Sequence, residues 1–190
     1  MYKEKEYCII SIVGSHAGES IKEIFKRKIK DTKKIGKTFW LINSYQAKPN
    51  LIQEIYNQKK KIKVYFIEPS RKGGAIPTKV SKSAKYYSID NVVWIPIPKD
   101  IGPITGNINN NTCALIMNHL KLSNGNINLK DYANFFNQKD HIKLKQGCST
   151  ICAVSKRIPN NPIKSNLRKI VAIGTLYNPS GVWLKSITTS

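Results

Sequence analysis

Three short apolar runs in the first 70 residues, separated by two amphipathic segments, restrict the possible folds more than any other feature of this chain. Tyr7 to Val13 (YCIISIV), Thr38 to Ile42 (TFWLI) and Ile62 to Ile67 (IKVYFI) have the length and the β-branched and aromatic content of buried strands. Gly14 ends the first run. Behind a Ser20/Glu23 pair at capping-box spacing, Ile21, Ile24, Phe25 and Ile29 share one helical face while lysines cover the other. Pro49 or Asn50 opens a second helix with Leu51, Ile52, Ile55 and Tyr56 inward. Strand, helix, strand, helix, strand at this spacing predicts right-handed crossovers onto a parallel sheet with helices outside, an α/β fold with a Rossmann-like N-terminal half.

Later segments read as an α+β continuation. Asn91 to Ile97 is extended, but Pro96 and Pro98 remove ladder donors and confine it to an edge strand or a loop. Residues 100 to 111, rich in Gly, Pro and Asn, read as a loop between two parts, 1–98 and 99–190, packed as one compact unit. Helix and strand compete for Cys113 to Leu122. Asn128, Leu129, Tyr132, Phe135 and Phe136 have the spacing of a short amphipathic helix. Cys148 to Val154 and Ile170 to Leu176 read as strands, and Asn178 to Gly181 as a turn into Val182 to Ile187, which predicts a C-terminal β-hairpin.

Charge then narrows function. The 190 residues contain 32 Lys and Arg against 11 Asp and Glu, a formal net charge of +21. Adenine- and thymine-rich coding would raise the lysine count, but it does not readily explain the scarcity of acids. Both halves are positive, with 20 basic and 8 acidic residues up to position 95 and 12 and 3 beyond it. An anionic partner is implied, and with 41% hydrophobic residues a wholly disordered chain is excluded. No run approaches the roughly 20 apolar residues that span a bilayer, and Tyr7 to Val13 is too short for a signal peptide. Four irregularly spaced cysteines do not form a disulfide framework, so a cytoplasmic protein without membrane attachment is expected.

The segment Glu68 to Asp90 has Arg71, Lys72, Lys79, Lys82 and Lys85 and no acid between its ends. If Thr78 caps a helix, Lys79, Lys82 and Lys85 lie along one side with Tyr86 at the margin, and Gly73 with Gly74 admits a phosphate close to backbone. That combination suits a nucleic-acid backbone, and a solvated surface helix is its alternative. Lys156, Arg157, Arg168 and Lys169 fall in an acid-free stretch from His141 onward and form a second contact region if they share that face. In parallel sheets ligands bind beyond the carboxyl ends of the strands, which nominates Gly14, Ser15 and His16 after the first, and Asn43, Gln46 and Lys48 after the second. Gly73 follows the third.

Other chemistries lack their residues. Residues 31–38 (DTKKIGKT) end like a phosphate-binding loop, but Asp31 replaces its first glycine and the run precedes a strand, so a P-loop NTPase is rejected. The acids are scattered where a two-metal nuclease needs them clustered. No metal site and no cofactor are expected, with a divalent cation only in the case of a nuclease. Cys148 and Cys152 have apolar neighbours and read as core thiols. The reading is therefore a protein that contacts DNA or RNA chiefly through phosphates. An enzyme or sensor for a nucleotide-like ligand at the sheet edge, and a subunit of a larger RNA-containing assembly, are the alternatives.

Overall fold

The computed structural model describes residues 5–14, 19–42, 47–59, 61–69, 82–99, 104–106, 108, 112–136, 142, 150–155 and 166–186. The alternation in the N-terminal third forms as its pattern predicts: β1 (Tyr7–Ile12), α1 (Ile21–Ile35), β2 (Thr38–Ile42), α2 (Pro49–Gln58) and β3 (Lys63–Ile67). At the start of α1 the Ser20 hydroxyl accepts from the Glu23 amide (3.3 Å) and the Glu23 carboxylate accepts from the Ser20 amide (2.7 Å). Gly36 ends the helix at φ 92°, a conformation open to glycine, and donates its N–H to the Thr32 carbonyl.

How the strands pair differs from the expectation. β1 and β3 are parallel neighbours, in register from Cys8↔Lys63 to Ile12↔Ile67, and theirs is the one parallel pairing among the described residues. β2 joins β8 (Cys113–Leu122) instead, antiparallel. Between β3 and β8 runs β12 (Leu167–Lys185), antiparallel to both. β11 (Thr150–Ser155) flanks β1 on the other side. The result is one mixed ten-stranded sheet in which strands from 1–98 and from 99–190 are interleaved. Periodicity identifies a buried strand but carries no information about its neighbour, which is why the three N-terminal strands looked like one parallel sheet.

No C-terminal hairpin forms. β12 continues through Asn178 to Gly181 as a single 19-residue strand. Leu176 faces Met117 and Gly181 faces Leu115, so β12 takes five steps where β8 takes two. The turn-forming residues are absorbed as a bulge that bends the strand without reversing it. Gly181 has a packing reason: a Cβ there would lie 2.9 Å from the Ile52 Cβ of α2.

Two segments expected to be helical are not helical where they are described. Residues 82–88 form β4 (Lys82–Ser83) and β5 (Tyr86–Ser88), not the end of a lysine-striped helix, because β5 pairs with Trp183–Lys185 of β12 and satisfies its backbone there. β4 pairs with β7 (Thr105–Gly106). The segment 126–134 is β9 (Asn126–Asn128), a one-turn 3-10 helix (Leu129–Asp131) and β10 (Tyr132–Asn134). There the Asn128 side chain accepts from the Lys130 amide (3.3 Å) and donates to Asp131 (3.1 Å), a local alternative to helical bonding. β6 (Ile95–Pro96) ends the sheet beside β5, consistent with its prolines.

The core lies on both sheet faces. α1 and α2 cover Ile9, Val64, Phe66, Leu115 and Met117, where Phe25 stacks on Trp40 and Phe66 packs tilted against both, all with ring centroids about 5 Å apart. The opposite face buries Cys8, Ile10, Tyr65, Ile67, Ile127 and Ile151 under residues 127–132. Among the described residues no helix is long and apolar enough to cross a membrane.

Candidate anion-binding cleft

A cleft among the described residues arises from a mismatch in strand length. β2 and β8 pair from Ile42↔Cys113 to Thr38↔Met117, and β8 then continues alone along β12. Thr175 faces Asn118 and Ile173 faces Lys121, so β8 carries an extra residue in this interval. His119 adopts φ 49°, left-handed for a residue with a Cβ, and its side chain is exposed. Bulges re-aim side chains and left-handed non-glycine residues gather at functional sites, because surrounding structure must hold them there.

The bulge faces a cavity of about 700 Å³ between the end of α1 and the start of β3. Lys33 comes from α1, Lys63 from β3 and Lys121 from β8, with the hydroxyl residues Thr32 and Thr175 also in the wall. Next to Gly36, which lines the same cavity, the Lys37 ammonium sits 4.5 Å from the centroid of the exposed Tyr177 ring. Lysines from three separate elements, a histidine and a nearby aromatic face are residue types that hold phosphate oxygens and stack a base, although the Thr32 hydroxyl already donates to the Lys28 carbonyl (2.7 Å).

Two features temper that charge. Carbonyls at the C-terminus of α1 carry a partial negative charge, which Lys33 and Lys34 in its last turn complement. Glu6 lies 3.5 Å from the Lys63 ammonium. Its carboxylate also accepts hydrogen bonds from the Tyr65 (2.6 Å) and Tyr132 (2.8 Å) phenols. Burial acts to raise the Glu6 pKa, but the two phenols and Lys63 outweigh it and hold the group below its ordinary value. The same burial, with the bonds to Glu6, raises both tyrosines.

Other described acids are similarly engaged. Glu19 pairs with Arg27 (2.6 Å), Glu23 closes the capping box, Glu68 lies 3.4 Å from Lys169, and Asp131 accepts from Asn128. Burial raises the thiols of Cys8, Cys152 and Cys113, the last to about 12, which keeps them protonated and unreactive at neutral pH. Among the described residues no three metal-ligating side chains converge.

The residues nominated from sequence fall in several places. Lys85 is exposed and Tyr86 half-buried beside Lys185, at one end of β12. Arg168 and Lys169 lie near its other end, opposite Ile127 and Asn126 of β9, so the structure does not bring these two groups together. The Nε of Arg168 is buried with no hydrogen-bond partner among the described residues, and Lys169 is paired with Glu68. Gly14 follows β1 with an open surround, since a Cβ there would meet nothing within 4 Å. Lys48 is exposed and precedes α2 without a side-chain cap. Lys82 is placed by its backbone in β4. Ser15, His16, Asn43, Gln46, Arg71, Lys72, Gly73, Lys79, Lys156 and Arg157 lie outside the described residues.

The cleft was not visible as such in the sequence. It opens at the amino-terminal end of β3, while the sequence pointed to the carboxyl ends. Its one local signal is the run DTKKIGKT, of which Thr32, Lys33 and Gly36 border the cavity instead of forming a phosphate loop. Comparison with known proteins finds no family model, no curated protein and no solved structure that matches this chain.

Proposed function

We propose that this protein binds nucleic acid through its backbone phosphates, with the cleft between α1, β3 and β8 as one contact. The reading is supported by the convergence of Lys33, Lys63 and Lys121 from three elements on one cavity, in a chain of net charge +21. Lysine is a point charge without the fork of arginine, so contacts follow phosphates more than base edges. In this reading Arg71, Lys72, Lys79, Lys82, Lys85, Lys156, Arg157, Arg168 and Lys169 add further phosphate contacts, with Tyr86 and Tyr177 offering aromatic surface.

The test is a fluorescence-anisotropy titration of single- and double-stranded DNA and RNA at two or more salt concentrations, with wild type and a Lys33→Glu/Lys121→Glu variant. Affinity should fall steeply with salt, and the logarithmic salt slope should decrease by about 2 in the variant, one for each lost phosphate contact. Unchanged affinity and slope would remove the cleft from the interface. A Lys79→Glu/Lys82→Glu/Lys85→Glu variant tests the other segment in the same way. The cavity volume also falls in the range of small-molecule sites, which favours a second reading: a nucleotide-like ligand held there by an enzyme or sensor. A mononucleotide that binds with a shallow salt slope and competes with the nucleic acid would favour that alternative.

A further inference from the structure

The β5–β6 hairpin carries the two most exposed large apolar side chains among the described residues. Val92 and Val93 are 76% and 62% exposed, and Ile89 and Ile95 are 47% and 45% exposed. Large contiguous apolar exposure is uncommon on a protein surface without a partner. The tip is organised by one side chain: the Asp90 carboxylate accepts from the Val92 and Val93 amides and from the Ser88 hydroxyl, each at 2.9 Å. Those bonds hold the Asp90 carboxyl at about 2, and Asn91 completes the turn at φ 65°. The base of the hairpin is cationic. Lys85 and Lys185 meet there through a backbone hydrogen bond of 2.9 Å, and the Lys185 ammonium lies 5.5 Å from the half-buried Trp94 ring.

We propose that this hairpin is an insertion loop for an anionic lipid surface: its aliphatic tip enters the boundary between headgroups and acyl chains while Lys85 and Lys185 contact the headgroups. Charge complementarity and side-chain type select this occupant. The exposed apolar side chains of the tip are aliphatic, its one ring, Trp94, is half-buried beside Lys185, and the Asp90 carboxylate is bonded to the amides of the turn; aliphatic groups next to two lysines and a tryptophan match the layering of an anionic bilayer interface. No membrane attachment was expected from the sequence because interfacial binding is usually read from amphipathic helices, and this surface belongs to a turn between two short strands.

The test uses sedimentation of the full chain with vesicles of phosphatidylglycerol and phosphatidylcholine, and with phosphatidylcholine alone. Wild type should bind the anionic vesicles, and Trp94 fluorescence should be quenched by brominated acyl chains, an effect lost in Trp94→Phe. A Val92→Ser/Val93→Ser variant changes only exposed side chains, and it should weaken vesicle binding by roughly tenfold or more while its affinity for DNA and RNA stays unchanged. Equal vesicle binding by variant and wild type would reduce the effect to surface charge and overturn the proposal, as would no binding at all. Loss of nucleic-acid affinity in the variant with vesicle binding intact would assign the tip to nucleic acid and would also overturn it. Failure of the cleft variant to alter nucleic-acid binding has no bearing on this result.

Discussion

Lys28 offers a quantitative test of the packing between α1 and β2. It is 8% exposed, its ammonium donates to the Phe39 carbonyl (2.7 Å), and it lies 4.1 Å from the Phe39 ring and 5.9 Å from Trp40. Burial, reinforced by the charge of Arg27 and opposed by Asp31 and Glu19, pushes its pKa from 10.5 down to about 7. At about 1.4 kcal/mol per pH unit, that gap sets a ceiling of about 5 kcal/mol on the cost of burying the charged form. Between pH 7 and 10.5 the unfolded chain holds the proton and the folded chain has released it, so folding stability rises with pH across that window. Below about 7 both states are protonated and the full cost is present. Lys28→Met keeps the aliphatic stem and removes the titration. Urea unfolding of both proteins at pH 6, 7.5 and 9 should show wild type gaining about 2–3 kcal/mol over the variant as pH rises. Titration of every other lysine and tyrosine cancels in that difference. Parallel profiles within a few tenths of a kcal/mol would mean that the ammonium is not desolvated as the geometry implies.

Two further substitutions probe other parts of the structure. Gly181→Ala places a Cβ 2.9 Å from the Ile52 Cβ, which sits on a helix and cannot swing aside, so urea or thermal unfolding should show a loss of about 1–3 kcal/mol; an unchanged stability would disprove the close approach of β12 to α2. His119→Gly removes the penalty of a left-handed residue and should stabilise the fold by up to about 1 kcal/mol while lowering nucleic-acid affinity. A variant that is less stable, or that binds as well as wild type, would contradict the role given to the bulge.

The parts legible in the sequence are those determined within about fifteen residues. Ser20 and Glu23 mark the start of α1, and the apolar spacing of Ile52 and Ile55 orients α2. The prolines beside Ile95 announce an edge. What failed depends on partners remote in sequence. Tyr86 and Tyr87 are compatible with a helix face until Lys185 and Leu184 supply a ladder for them. Asn178 to Gly181 carry the composition of a reversal, and only the continued pairing of Gly181 and Val182 with Leu115 and Ala114 makes them a bulge. The cleft was hidden for a related reason: CALIMNHLKL left helix and strand in competition, and the extra residue at His119 exists only relative to β12.

The position of β12 has a consequence for assembly of the molecule. Residues 167–185 come after every strand they join, yet they form the seam that links the β1–β3 pair to the β2–β8 pair and also carries β5 and β9. Until that seam has been synthesised, the two partial sheets leave open edges facing each other across a gap that nothing else in the sheet fills. During translation, then, the chain must be kept from pairing with its neighbours until its final central strand arrives.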